Sequence, residues 1–167
     1  MVVSFFAAAA LWDFESPSYA MMEMRDAAAA GDADALYDSI DLPTVRKNLT
    51  ADLRAELVRN AAIDKIQGPE TQILMKTMEA VDGLVYRFVT AERIQIIINT
   101  GNFEQPGAEY QKSTKNQTDW SIKRDELNRF TATPDAPDRS KVPSLMFERD
   151  GLGWKVTRII LPADRPN

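Results

Sequence analysis

The chain has 167 residues, 44% of them hydrophobic and 27% charged, which is ordinary usage for one globular domain able to bury a core. Its formal net charge of -5 argues against a nucleic-acid partner, which would need a basic face to displace counterions from phosphate. With neither Cys nor His, the chain excludes disulfides, Ser-His and Cys-His catalysis, and imidazole- or thiolate-bound metal.

Residues 2–12, VVSFFAAAALW, are apolar and uncharged, as in the h-region of a secretory signal or the stub of a membrane anchor. The run falls short of the ~20 apolar residues of a spanning helix, and no Lys or Arg precedes it. Residues 1–15 are therefore read as an export or anchor-like segment through which the protein associates with a membrane. The competing reading is an apolar helix packed on the domain. Residues 16–167 form the single domain.

Ser16 followed by Pro17 predicts an N-cap with proline at the first helical position, opening a helix over residues 17–30. Its expected apolar stripe is Tyr19, Met22, Ala27 and Ala30, and Gly31 ends it. Asp32 then caps a short helix through Leu36, Tyr37 and Ile40, and Asp41 caps the next, which has Pro43 in its first turn. Val45, Leu49, Leu53 and Leu57 give that third helix an apolar ridge that runs to Ala61 or beyond. Pro69 opens a fourth helix with Leu74, Met78, Val81, Val85 and Phe88 at helical spacing, and Gly83 is expected at a close helix contact. Thr90 and Gly101 bracket a fifth helix with Ile94, Ile97 and Ile98 on one face. Ile94, Ile96 and Ile98 also alternate as a strand would, but the cap and the terminal glycine agree with each other and favour helix.

Residues 102–119 are polar, lack periodicity and are expected to form a flexible loop. The sequons at Asn48 and Asn116 are short patterns of the kind that arise by chance. The final third changes to a period of two. Residues 120–122 and 128–133 read as one strand interrupted by a bulge near residues 125–127. Residues 142–149 and 154–161 flank Asp150-Gly151-Leu152-Gly153 as a hairpin. Leu145, Phe147, Trp154 and Val156 are expected on the face that meets the helices, with Ile159 and Leu161 on the other face.

The acids Asp32, Asp34, Asp38 and Asp41 lack the central glycine and closing glutamate of a calcium loop and read as caps. Asp125, Glu126 and Glu148 are the candidates from which a carboxylate pair for a hydrolase would come, against a bland role as turn and surface charges. Arg46 suits a partly buried ion pair, and Phe130 and Trp154 suit core more than a ligand cage. The Met21, Met22 and Met24 group is either an adaptable binding surface or gap filler.

Residues 16–49, the later RFVTAERIQIII, and the closing RFTAT and LMFERDGLGWKVTRIILP together resemble the bacterial domain of unknown function family numbered 2939. The resemblance runs in order over residues 16–162. It implies a small exported or membrane-anchored bacterial protein with a hydrophobic segment before the helices, and it supplies no activity. Gly31, Asp32, Asp41, Arg46, Phe130, Glu148, Asp150, Gly151, Trp154 and Pro162 match the family pattern. Gly153 and Ile160 depart from it, each standing where a basic residue is expected.

The combined expectation is an α+β domain, N-terminal helices followed by an antiparallel sheet of about three strands with the helices packed on one face. Functionally it is a non-catalytic bacterial envelope protein, in the periplasm or on the inner membrane facing the periplasm. It uses no cofactor and binds a protein partner or a small apolar ligand, with Arg46, Phe130, Glu148 and Trp154 as candidate contacts. The alternatives are a carboxylate-dependent hydrolase and a structural or assembly module that uses an exposed apolar patch.

Overall fold

The computed structural model describes residues 16–60, 69–101 and 118–162. Five helices come first: α1 (Pro17–Ala30), α2 (Ala33–Asp38), α3 (Leu42–Asn60), α4 (Pro69–Phe88) and α5 (Ala91–Thr100). Four strands follow: β1 (Trp120–Glu126), β2 (Arg129–Pro134), β3 (Ser144–Asp150) and β4 (Gly153–Ile160), with a 3-10 turn at Arg139–Lys141. They form one antiparallel meander in the order β1-β2-β3-β4, and the helices cover one face of it. The fold is α+β.

The helix boundaries follow from the expected caps. The Ser16 hydroxyl accepts from the Tyr19 N–H, the Asp32 carboxylate from Ala35 and the Thr90 hydroxyl from Arg93, while Asp41 accepts from Thr44. Gly31 and Gly101 end α1 and α5 in the left-handed conformation. Residues 94–98 are helical, and the local caps outweigh the β preference of the isoleucines. Gly101 also has no room for a side chain: a Cβ there would lie 2.9 Å from Pro134, so the end of α5 closes directly on the end of β2.

The core face of α1 is not the expected stripe. Met21, Met24 and Ala28 are buried, whereas Met22 is exposed and Ala27 only half-buried. The two stripes lie side by side on a helix made mostly of Ala and Met, and the larger side chains at 21 and 24 fill the gap beneath it. Gly83 is likewise not at a helix contact. A Cβ added there would meet nothing within 4 Å, because α4 turns Val81 and Val85 inward and Gly83 to solvent. Val45 and Leu49 of α3 are buried, with Leu53 and Leu57 packed on the edge of the core.

The sheet has four strands rather than about three. Residues 120–134 form a hairpin in which Trp120 pairs with Pro134 and Arg124 with Phe130, turning at Leu127 and Asn128. The expected bulge is present between Arg124 and Glu126, but it leads into the turn instead of continuing one strand. The second hairpin turns through Gly151 at φ 61°, as the Asp-Gly pair predicts. Leu145, Phe147, Trp154 and Val156 face the helices as expected. Ile159 does too, which corrects its placement on the other face. Thr157 is an extra residue in β4 with no counterpart in β3, and this bulge shifts the alternation by one. Ile159 is thereby carried into the core, and Ile160 is left on the outer side.

Phe130 stacks on Phe147 with ring centroids 4.4 Å apart and meets Trp154 edge-on at 4.9 Å, which fixes three strands against the helical layer. The helical layer is tied to itself and to the sheet by side-chain amides. Gln95 and Asn99 both donate to the Ala28 carbonyl near the end of α1, and the Trp120 indole N–H donates to Ile98. The free edge of β4 is occupied from the α2–α3 junction. Asp41 donates to the Val156 carbonyl, Val156 donates to Ser39, and the Asn48 amide donates to Thr157. Asn48 is therefore committed to the sheet, which accounts for it without glycosylation. The apolar segment at residues 2–12, the end of the third helix at Ala61, the second sequon at Asn116 and nearly all of the polar loop lie outside the described residues.

Candidate functional site

Alternation in the sheet produces two unlike faces. One carries the core. The other, away from the helices, forms a shallow basin of about 570 Å³. Its middle is made by four hydroxyl residues, Ser121, Thr131, Thr133 and Ser144, with Met146 and Ile160 as apolar ground beside them. Its rim carries Lys123, Arg129 and Arg139.

Each rim cation has its own carboxylate. Lys123 lies 3.6 Å from Asp125, Arg129 pairs with Glu126, and Arg139 pairs with Asp135. Three of the four hydroxyls are also engaged, Thr131 with Asp125 at 2.6 Å and Thr133 with Ser144 at 2.8 Å. Such a surface carries local polarity without strong net charge. It suits a partner that offers hydrogen bonds and apolar contact rather than phosphate or another dense anion. Exposed ion pairs of this kind are worth little each and can be exchanged for contacts to a partner at small loss.

The four candidate contacts from the sequence do not converge. Phe130 and Trp154 are buried together in the core, with the Arg149 guanidinium 4.6 Å above the Trp154 ring. Arg46 reaches from α3 to the end of α4, where its Nε donates to the Val89 carbonyl at 3.0 Å and its guanidinium sits 4.3 Å over the Tyr86 ring. Glu148 is half-buried in β3 and paired in register between Arg129 and Lys155, next to the basin. Asp125 and Glu126, the proposed partners of Glu148 in a carboxylate pair, turn instead to Thr131 and Arg129. Among the described residues no group of three acidic side chains converges as a metal site would require.

Sequence reasoning missed the basin residues because hydroxyls and one methionine on alternate positions read as an ordinary solvated strand face. The signal was present in RFTATP and SLMFERD, where the non-core phase is Thr131, Thr133, Ser144 and Met146. A second depression, about 680 Å³, lies over α1 and α2 beside Tyr19, Met22, Glu23 and Asp26. Burial and the neighbouring Glu23 carboxylate raise the Tyr19 phenol above its usual range there.

A family model described as protein of unknown function (DUF2939) matches residues 6–96, more than half of the chain. The chain belongs to the DUF2939 family. The matched part of this DUF2939 protein begins within the apolar N-terminal run and ends inside α5, so it comprises the helical layer, and the sheet with its basin lies beyond it. Searches of curated proteins and of solved structures return no match. Among the described residues of the DUF2939 chain, no helix is long and apolar enough to cross a membrane.

Proposed function

We propose that this DUF2939 protein is a non-catalytic binding domain of the bacterial envelope, and that the outer face of its sheet is the surface that takes a partner protein. One observation carries the reading: a four-stranded sheet whose second face is left uncovered by the described residues, with Met146 and Ile160 set among hydroxyls and charge-balanced ion pairs. The absence of His and Cys from the sequence removes the commonest nucleophile and base chemistry and supports a binding role. The layer between helices and sheet is packed with side chains including Phe130, Phe147 and Ile94, which favours a protein partner on the outside over a small apolar ligand within.

Residues 2–12 are assigned as the export or anchor segment, which places the domain in the periplasm or on the periplasmic side of the inner membrane. Fractionation of cells producing the natural full-length protein tests the location, and recovery in the soluble cytosol contradicts it. Cross-linking and pull-down from the native envelope tests the surface. The account predicts that a partner recovered with the wild type is lost with Met146→Asp while the variant remains folded. Capture unaffected by Met146→Asp contradicts the sheet face as the binding surface.

A further inference from the structure

We infer that α4 is a self-association helix, which docks antiparallel on the α4 of a second copy of this chain with the two helices crossing at Gly83. The inference rests on α4 alone and does not depend on what the sheet binds.

α4 packs chiefly on α3 and turns Val81 and Val85 inward. Its opposite side is centred on Lys76, Gly83 and Arg87, and is flanked by Glu79, Ala80 and Tyr86. All six residues are exposed, and Tyr86 retains 68% of its surface. A glycine inside a solvent-facing helix destabilises it relative to alanine, and here a side chain would meet nothing within 4 Å. Among the described residues no contact therefore requires Gly83. A bare backbone in the middle of an exposed helix face allows a second helix to approach closely.

The identity of that second helix follows from the spacing on either side of Gly83. In an antiparallel pair related by a two-fold axis at Gly83, residues equally distant from it in the two copies face each other. Glu79 then meets Arg87 of the partner subunit, and the symmetry repeats this ion pair on the other side. Tyr86 lies on the same edge of the face as Glu79, so across the two-fold each exposed ring comes beside Glu79 of the partner subunit. Neither Glu79 nor Arg87 has an ion pair within the chain among the described residues. The face is thus complementary to itself in charge about a bare backbone at Gly83, as an isologous interface requires.

Sedimentation of the full chain over a wide concentration range tests this, with circular dichroism as the control for folding. The expected result is a reversible monomer–dimer equilibrium. Gly83→Leu should keep the helix and weaken association by about tenfold or more, because the crossing is blocked while the monomer has space for the side chain. Glu79→Arg and Arg87→Glu should each weaken it, and the double exchange should restore it, as a charge pair across the two-fold requires. A chain that stays monomeric throughout overturns the inference. So does association that survives Gly83→Leu, or a double exchange that restores nothing.

Discussion

Phe130 is the residue on which three strands converge, with Phe147 stacked on its face and Trp154 against its edge. Truncating it leaves a void that the sheet cannot close. Phe130→Ala should cost about 3–5 kcal/mol, a large part of the ~5–15 kcal/mol that holds a domain of this size. Urea denaturation followed by circular dichroism measures it, and a loss below ~1 kcal/mol would remove Phe130 from the centre of the core. Thr157 poses the opposite case. It is buried at the bulge of β4, and its hydroxyl has no partner among the described residues. An unsatisfied buried hydroxyl costs about 1–3 kcal/mol, so Thr157→Val should stabilise the protein by roughly 1 kcal/mol. A drop in the denaturation midpoint would show that the hydroxyl is bonded after all. The core role of Phe130 was legible from its residue type and strand phase. The exception at Thr157 was not, since nothing in TRII announces an extra residue.

At the scale of elements, ends were easier to read than faces. Ser16, Asp32, Asp41 and Thr90 each sit where a free helix N–H needs an acceptor, a requirement local enough to show in the sequence. The inward face of α1 depends on what lies beneath it, and an Ala- and Met-rich helix offers two adjacent stripes of similar apolarity. The β1–β2 turn at Leu127 and Asn128 was hidden for a related reason, because neither glycine nor proline marks it. The cap of α5 also yields a pH prediction. Hydrogen bonding with Thr90 and with its own backbone lowers the Glu92 carboxyl below the usual range. A lowered folded pKa contributes stability at neutral pH that is lost as pH falls below about 4.5, where the unfolded chain takes up the proton first. The gap in denaturation midpoint between wild type and Glu92→Gln should therefore be present at neutral pH and close in acid. A gap that is constant with pH would contradict this.

For the whole molecule, the decisive arrangement among the described residues is a sheet buried on one side and open on the other. The α+β order and the helix-facing residues Leu145, Phe147, Trp154 and Val156 were legible from periodicity. The basin was not, because a face built of Thr, Ser and paired charges is indistinguishable in sequence from a strand face exposed to water. Its charge balance predicts partner binding that changes little with salt, unlike an interface steered by a single sign of charge. The central claim is that this face meets a protein partner, and a photo-reactive side chain placed at Met146 in the full-length protein tests it most directly. The control position is Leu152, which is exposed at the tip of the β3–β4 turn. In the native envelope, irradiation should give a discrete adduct from position 146 and none of the same mass from position 152. Adducts of equal yield from both positions, or none from position 146, would contradict the account.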